Sequence, residues 1–146
     1  MKKKAQMKQQ INQNLKSIKK QIDKVKAPNQ KVKLVAVTKT RYPEEISAAI
    51  SGGVVSIGEN RVQEAEQKFT DIPKIKEIEK RLVGKLQSNK IKKAIQLFDT
   101  IDSVDSTKLA KKISKAATAI EKKQRVLVQV NTSNEKTKNG VDRGDI

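Results

Sequence analysis

The sequence predicts an α/β fold built on a parallel sheet, and three observations predict it. Apolar runs of strand length alternate with segments whose apolar residues recur every three or four positions. The turn after each apolar run is polar. The run Val32-Lys33-Leu34-Val35-Ala36-Val37 carries apolar residues on both of its faces, as a strand covered on both sides requires. Such alternation implies parallel strands joined by right-handed helical crossovers. Two architectures satisfy it, an open doubly wound sheet and the first part of an eight-fold barrel. No strand is followed by a dinucleotide fingerprint or a phosphate P-loop, which weighs against the open nucleotide-binding sheet.

The elements follow in order. Met7, Ile11, Leu15, Ile18, Ile22 and Val25 stand three or four apart among lysine, glutamine and asparagine, which predicts one amphipathic helix over residues 7–25. Ala27-Pro28-Asn29-Gln30 breaks it, and the first strand, 32–37, follows. Pro43 opens a short helix with Ile46, Ala49 and Ile50, and Gly52-Gly53 stops it. Val54-Val55-Ser56-Ile57 is a second strand. Gly58-Glu59-Asn60 leads into a helix with Val62, Ala65 and Phe69, and Gln63 follows Asn60 at capping-box spacing. Arg81-Leu82-Val83 is a brief third strand, after which residues 84–89 turn into a helix through Ile91, Ala94 and Ile95. Thr100 to Val104 is strand four. Ser106 is placed to cap a helix with Leu109, Ile113, Ala116 and Ile120. Val126 to Val130 is strand five, and the remainder, 131–146, is polar and loop-like.

Composition narrows the chemistry. At 146 residues the chain matches one domain core, and residues 1–146 are expected to form a single domain opened by the amphipathic helix. With no cysteine and no histidine it builds no disulfide, thiol nucleophile, Cys/His zinc site or serine-histidine triad. Reactive groups must come from lysine, carboxylates, hydroxyls, amides, Tyr42 or a bound cofactor. The net charge of +17 admits nucleic-acid binding through counterion release. Residues 1–26, however, hold nine lysines against a single acid, Asp23, so much of the excess belongs to one segment. Tyr42, Phe69 and Phe98 are the whole aromatic set, too few for a base-stacking platform. No stretch has the length and apolarity of a membrane span or the apolar run of a signal peptide, which leads to the expectation of a cytoplasmic protein.

The strand over 32–37 delivers Thr38-Lys39-Thr40 to its end. By alternation Lys39 shares a face with Val35 and Val37, at the carboxyl edge where parallel α/β proteins keep their sites. Partial burial there would favour the neutral amine, the form that condenses with a carbonyl. Polar turns follow the other strands at Gly58-Glu59-Asn60, Gly84 to Lys90, Ser103-Val104-Asp105 and Gln129-Val130-Asn131. Taken singly these residues suit turn geometry and capping. Gathered on one sheet edge beside a lysine, they suggest a site.

These blocks carry a resemblance. Val35-Ala36-Val37-Thr38-Lys39-Thr40, Gly58 to Glu64, Gly84 to Lys90, Ser103-Val104-Asp105, Gln129-Val130-Asn131 and Lys138-Asn139-Gly140-Val141 resemble, in order, signature blocks of the pyridoxal phosphate homeostasis proteins (the YggS/PROSC family). The resemblance implies a partial (β/α)8 TIM barrel similar to the alanine racemase N-terminal domain, with about five of eight strands present. It implies pyridoxal 5′-phosphate as cofactor, held as a Schiff base on Lys39, with Asn60, Gln87, Ser103 and Asn131 near it on the same edge. It further implies a part in intracellular vitamin B6 and amino-acid homeostasis without catalytic turnover. The chain departs from the family pattern at Lys80-Arg81, where Trp-His is common, and at Arg61, where tyrosine is common.

Two other readings give different expectations. A racemase of the same fold type would need a second base, for which Tyr42 is the candidate, and a nucleic-acid-associated protein would use the lysines of residues 1–26. The family barrel has eight strands, so this chain is expected to be a C-terminally truncated version. It would lack the late loops on which barrels usually hold phosphate, and its open sheet edges would favour self-association.

Overall fold

The computed structural model describes residues 2–133, 135, 139–142 and 144, so Lys138 of the last sequence block lies outside the described residues. The elements are α1 (Lys2–Val25), β1 (Ala36–Val37), α2 (Pro43–Ser51), β2 (Ser56–Glu59), α3 (Val62–Phe69), β3 (Glu79–Leu82), α4 (Ile91–Leu97), β4 (Thr100–Val104), α5 (Thr107–Thr118) and β5 (Arg125–Val128). The strands form one parallel sheet in the order β1-β2-β3-β4-β5. A doubly wound sheet reverses its strand order part-way, whereas here every strand lies beside its predecessor. With α1 packed on α2, α3 on α4 and α4 on α5, this is the winding of a (β/α)8 barrel over five of its strands.

The core lies between the sheet and these helices. Ile57, Leu82 and Ile101 occupy the helix-facing side of the three inner strands, each fully buried. Against them pack Ile46 of α2, Ala65 and Phe69 of α3, Ile91, Ala94 and Ile95 of α4, and Leu109, Ile113 and Ala117 of α5. Phe69 meets the fully buried Phe98 edge to face, with centroids 5.8 Å apart. The spacings of three and four seen in the sequence are these buried stripes.

Several predicted boundaries shift, each for a physical reason. The first helix starts at Lys2, since the lysine-rich start offers good helix formers. The first strand shrinks to Ala36–Val37, pairing only with β2, because it lies at the edge of the sheet. Val32 and Val37 are consequently about half exposed rather than covered on both faces. The second strand runs from Ser56 to Glu59, two residues later than its apolar run suggests, because Glu59 is paired inside the fold and need not seek water. Asn60 therefore does not cap α3; the residue before that helix is Arg61, which makes no side-chain capping bond, and the predicted capping box is absent. Strand three begins at Glu79 rather than Arg81. A short 3-10 turn at Ile75–Glu77, not evident in the sequence, carries the chain into it.

Strand four coincides with Thr100–Val104, and Ser106 caps α5 by accepting the Leu109 N–H at 3.2 Å. Ile120 falls outside α5 and is exposed, with Ala117 buried in the stripe instead. All four residues of β5 are exposed, so the fifth apolar run forms a strand but not a covered one. Beyond it, an isolated parallel bridge joins Val130 to Val141.

Candidate functional site

Because all five strands run parallel, their carboxyl ends lie on one edge, and every polar turn singled out in the sequence is on it. Lys39 sits in a four-residue turn closed by the Arg41 N–H donating to Thr38 O at 3.1 Å. Thr40, the third residue of that turn, has φ 62°, a left-handed conformation that costs a β-branched residue about 1–2 kcal/mol. Lys39 is exposed, not partly buried as its strand position suggests, because β1 is an outer strand of the sheet. Among the described residues no hydrogen bond or ion pair involves its Nζ.

The backbone on either side of Lys39 is held by a polar cluster that runs from the buried Glu59 to the partly exposed Glu64. Thr38 Oγ1 donates to Glu59 Oε1 at 2.6 Å. Lys68 Nζ, reaching back from α3, donates to Thr38 O at 2.7 Å, Glu59 Oε1 at 3.1 Å and Glu64 Oε1 at 2.6 Å. The same Glu64 oxygen accepts the Thr40 N–H at 2.5 Å. The hydrogen bond from Lys68, aided by that from Thr40 and the nearby charges of Lys68 and Arg61, holds the Glu64 carboxyl below its ordinary value against the effect of burial. Glu59 is fully buried, and among the described residues its second oxygen has no hydrogen-bond partner. The sequence reading missed this cluster. Glu64 and Lys68 stand at the i,i+4 spacing of a helical ion pair, which is visible in sequence, but their reach to Thr38 and Thr40 is not.

Asn60 and Gln87 share a cleft of about 640 Å³ with Arg61, Gly84, Lys85 and Lys90. Gly84 permits the close approach of its two turns, since a Cβ there would fall 2.2 Å from Asn60 O. Among the described residues none that lines the cleft is acidic, and its amides and cations suit an anionic ligand.

The other expected site residues lie farther along the edge. Ser103, on β4, is buried and donates its hydroxyl to Gly84 O at 2.7 Å, supporting the glycine turn from below. Asn131 follows β5, the outer strand opposite β1, and its amide binds within its own loop, donating to Glu135 O at 3.1 Å. Thus the sheet brings Lys39, Asn60 and Gln87 onto three consecutive strand ends and sets Asn131 at the far side. Tyr42 is exposed at the start of α2, where its N–H donates to Glu45 Oε2 at 2.9 Å.

On the opposite face of the sheet, away from the helices, lies a second charged cluster. Arg81 forms a two-pronged pair with Asp102, at 2.9 and 3.0 Å. Glu79 accepts from Lys33, Ser56 and Arg125 at 2.9–3.0 Å, and from Arg81 at 3.3 Å. Burial pushes the Glu79 carboxyl up, but the hydrogen bonds from Lys33 and Ser56 and the charges of Lys33 and Arg81 outweigh it and hold the group at about 2. Arg81, one of the two departures from the family pattern at 80–81, is thereby built into the inner face.

A singly wound parallel sheet whose polar turns gather on its carboxyl edge defines a protein of the (β/α)8 barrel class, with its site at that edge. The family described as "Alanine racemase, N-terminal domain" matches residues 8–146, and the chain belongs to it. Within that class it is similar to the pyridoxal phosphate homeostasis proteins, as the sequence blocks suggest. It is 39% identical over 135 residues to the one of Buchnera aphidicola subsp. Schizaphis graminum, covering 90% of this chain and 59% of that protein. To that of Pasteurella multocida it is 34% identical, covering 94% and 58%. The chain therefore spans a little under three-fifths of the length of these relatives. PipY of Synechococcus elongatus PCC7942, in a structure without PLP, superposes with a TM-score of 0.82 at 35% identity, covering 92% of this chain and 60% of that one. Its structure with PLP bound gives 0.77 at 36%, covering 92% and 59%. An alanine racemase of Clostridium difficile 630 shares the fold, with a TM-score of 0.64 at 17% identity over 88% of this chain and 33% of that one.

Proposed function

We propose that this chain, acting as one domain, binds pyridoxal 5′-phosphate in the service of intracellular vitamin B6 and amino-acid homeostasis, with Lys39 as the covalent attachment residue. The observation that carries this reading is the Lys39 turn: the flanking residues are tied down by hydrogen bonds while the lysine itself is exposed at the carboxyl edge of the sheet. When bound, the cofactor supplies an aldehyde with which a primary amine condenses. The residues present suit such a group, because among the described residues the neighbouring cleft is lined by amides and cations. In this reading Asn60 and Gln87 orient the ligand at the first three strand ends, and Ser103 holds the Gly84 turn that shapes the cleft. Asn131 contributes from the far side of the barrel mouth.

Carriage rather than turnover is part of the proposal. It is supported by the names of the relatives, which describe homeostasis, and by the position of Tyr42, whose exposed ring at the start of α2 lacks the enclosed setting of a second base. A cytoplasmic location belongs to the same proposal, since service to intracellular cofactor balance requires it. Among the described residues no helix is long and apolar enough to cross a membrane.

The test is to incubate the chain with pyridoxal phosphate, reduce with borohydride and map the labelled peptide. Label concentrated at Lys39 and lost in Lys39→Ala is expected. Label spread evenly over surface lysines, or unchanged in that variant, would overturn the reading. Racemisation of free alanine dependent on Tyr42 would instead establish the enzyme.

A further inference from the structure

We infer that Lys68, acting through Glu64 and Glu59, is a positioning residue that sets the direction in which Lys39 presents its amine. The geometry of this tether stands on the structure alone, while its consequence for ligand capture rests on Lys39 being the attachment residue. Lys68 Nζ holds the carbonyl of Thr38 directly, and through Glu64 Oε1 it is linked to the N–H of Thr40, so one side chain of α3 grips the backbone before and after Lys39.

The grip is needed because Thr40 is β-branched and its φ of 62° is unfavourable in isolation; without an acceptor for its N–H, the turn relaxes toward other conformations. Such strain persists where the surroundings over-determine it, and here three contacts do so: the Glu64 bond, the Lys68 bond and the turn bond from Arg41. Glu59 supplies the counterpart that keeps Lys68 in place. Its side chain is fully buried and that of Lys68 is 12% exposed, so neither charge can turn to water without losing the other. The long, flexible side chain of Lys39 is then left to move from a fixed base, and a small rotation of that base displaces its amine by ångströms.

The experiment compares the parent 146-residue chain with Glu64→Ala, Glu64→Gln and Lys68→Met by two readouts. Hydrogen exchange at the Thr40 amide reports the tether in the absence of any ligand. Borohydride trapping of pyridoxal phosphate, read at Lys39 relative to exposed Lys20, reports the consequence. In Glu64→Ala, which leaves the Lys68–Glu59 pair intact, we expect the Thr40 amide to lose protection and relative labelling at Lys39 to fall about tenfold, while amides of β4 stay protected. Glu64→Gln, which retains an acceptor oxygen, should preserve most of both signals. Lys68→Met is expected to match Glu64→Ala if it folds; should it unfold, Glu64→Ala and its conservative rescue decide the matter.

A Thr40 amide that exchanges freely in the parent chain would overturn the tether. Lys39 labelling that is selective in the parent chain and unchanged in a folded Glu64→Ala would overturn the positioning role while leaving the attachment residue standing. Absence of selective Lys39 labelling in the parent chain would overturn the attachment residue, and with it the role of Lys68 in ligand capture.

Discussion

Glu59 and Glu79 are both carboxylates in inner strands of the same sheet, and both are ion-paired, yet they stand on opposite faces. Glu59 points to the helices, fully buried, with Lys68 as its cation. Glu79 points the other way, among Lys33, Arg81 and Arg125, two of which are more than half exposed. The difference teaches that the number of ion pairs is a poor guide to their weight. On the helix side each charge has given up water and depends on its partner. On the other face Glu79 is itself only 11% exposed, but three cations surround it and two of them keep contact with water, so the loss of one is absorbed by the others.

The sharpest way to break this contrast is to remove one cation from each side. Lys68→Met leaves Glu59 buried without a compensating charge and should cost about 3–5 kcal/mol in urea unfolding. Arg125→Met or Lys33→Met should cost under about 1 kcal/mol. Equal losses on the two sides would mean that the number and exposure of the cations around a carboxylate do not govern the energetics of this sheet.

A smaller effect separates the apolar residues of neighbouring strands. Ile101 on β4 is fully buried, and Ile101→Ala should lower stability by about 2–5 kcal/mol through lost contacts and a residual cavity. Leu127 on β5 is 50% exposed. Leu127→Ser should change stability by less than about 1 kcal/mol, while reducing concentration-dependent association in sedimentation velocity, since an exposed apolar strand at a sheet edge invites pairing with another chain. A chain that remains monomeric at high concentration would show that this edge is better protected than its exposure suggests.

A further test of the contrast uses acid. Glu79 is held at about 2 against an ordinary 4.5, so its contribution to stability is present in full above pH 4.5 and is lost as the pH falls toward 2. Glu64 is lowered as well and acts in the same direction. In Glu79→Gln, unfolding followed between pH 5 and 2 should therefore show a shallower decline than in the parent chain, without losing it altogether. An unchanged slope would remove Glu79 from the account of acid sensitivity.

Much of the fold was legible because burial imposes periodicity. Thr100–Val104 matched to the residue, since its covered apolar positions and polar flanks agree, and the Ser106 cap was visible from one hydroxyl placed before a helical stripe. Lys39, Asn60 and Gln87 were legible as polar residues following strands, and their common edge follows from parallel winding. Glu59 was not legible. A carboxylate beside glycine and asparagine suggests a turn, and only a lysine brought over from α3 allows it to end a strand inside the fold. The same limit applied to β1, whose apolar run predicted cover on both faces that its place at the edge of the sheet does not provide.

By itself the sequence determined the alternation of strands and helices, the absence of thiol and imidazole chemistry, and the lysine at the end of the first strand, because each depends on residue type and local spacing. The tertiary structure alone decided that Lys68 clasps the backbone on both sides of Lys39, and that Glu59 is sealed beside one lysine while Glu79 is shared among several cations. Those outcomes depend on which distant segments share a face, and that is settled when the helices cover one side of the sheet.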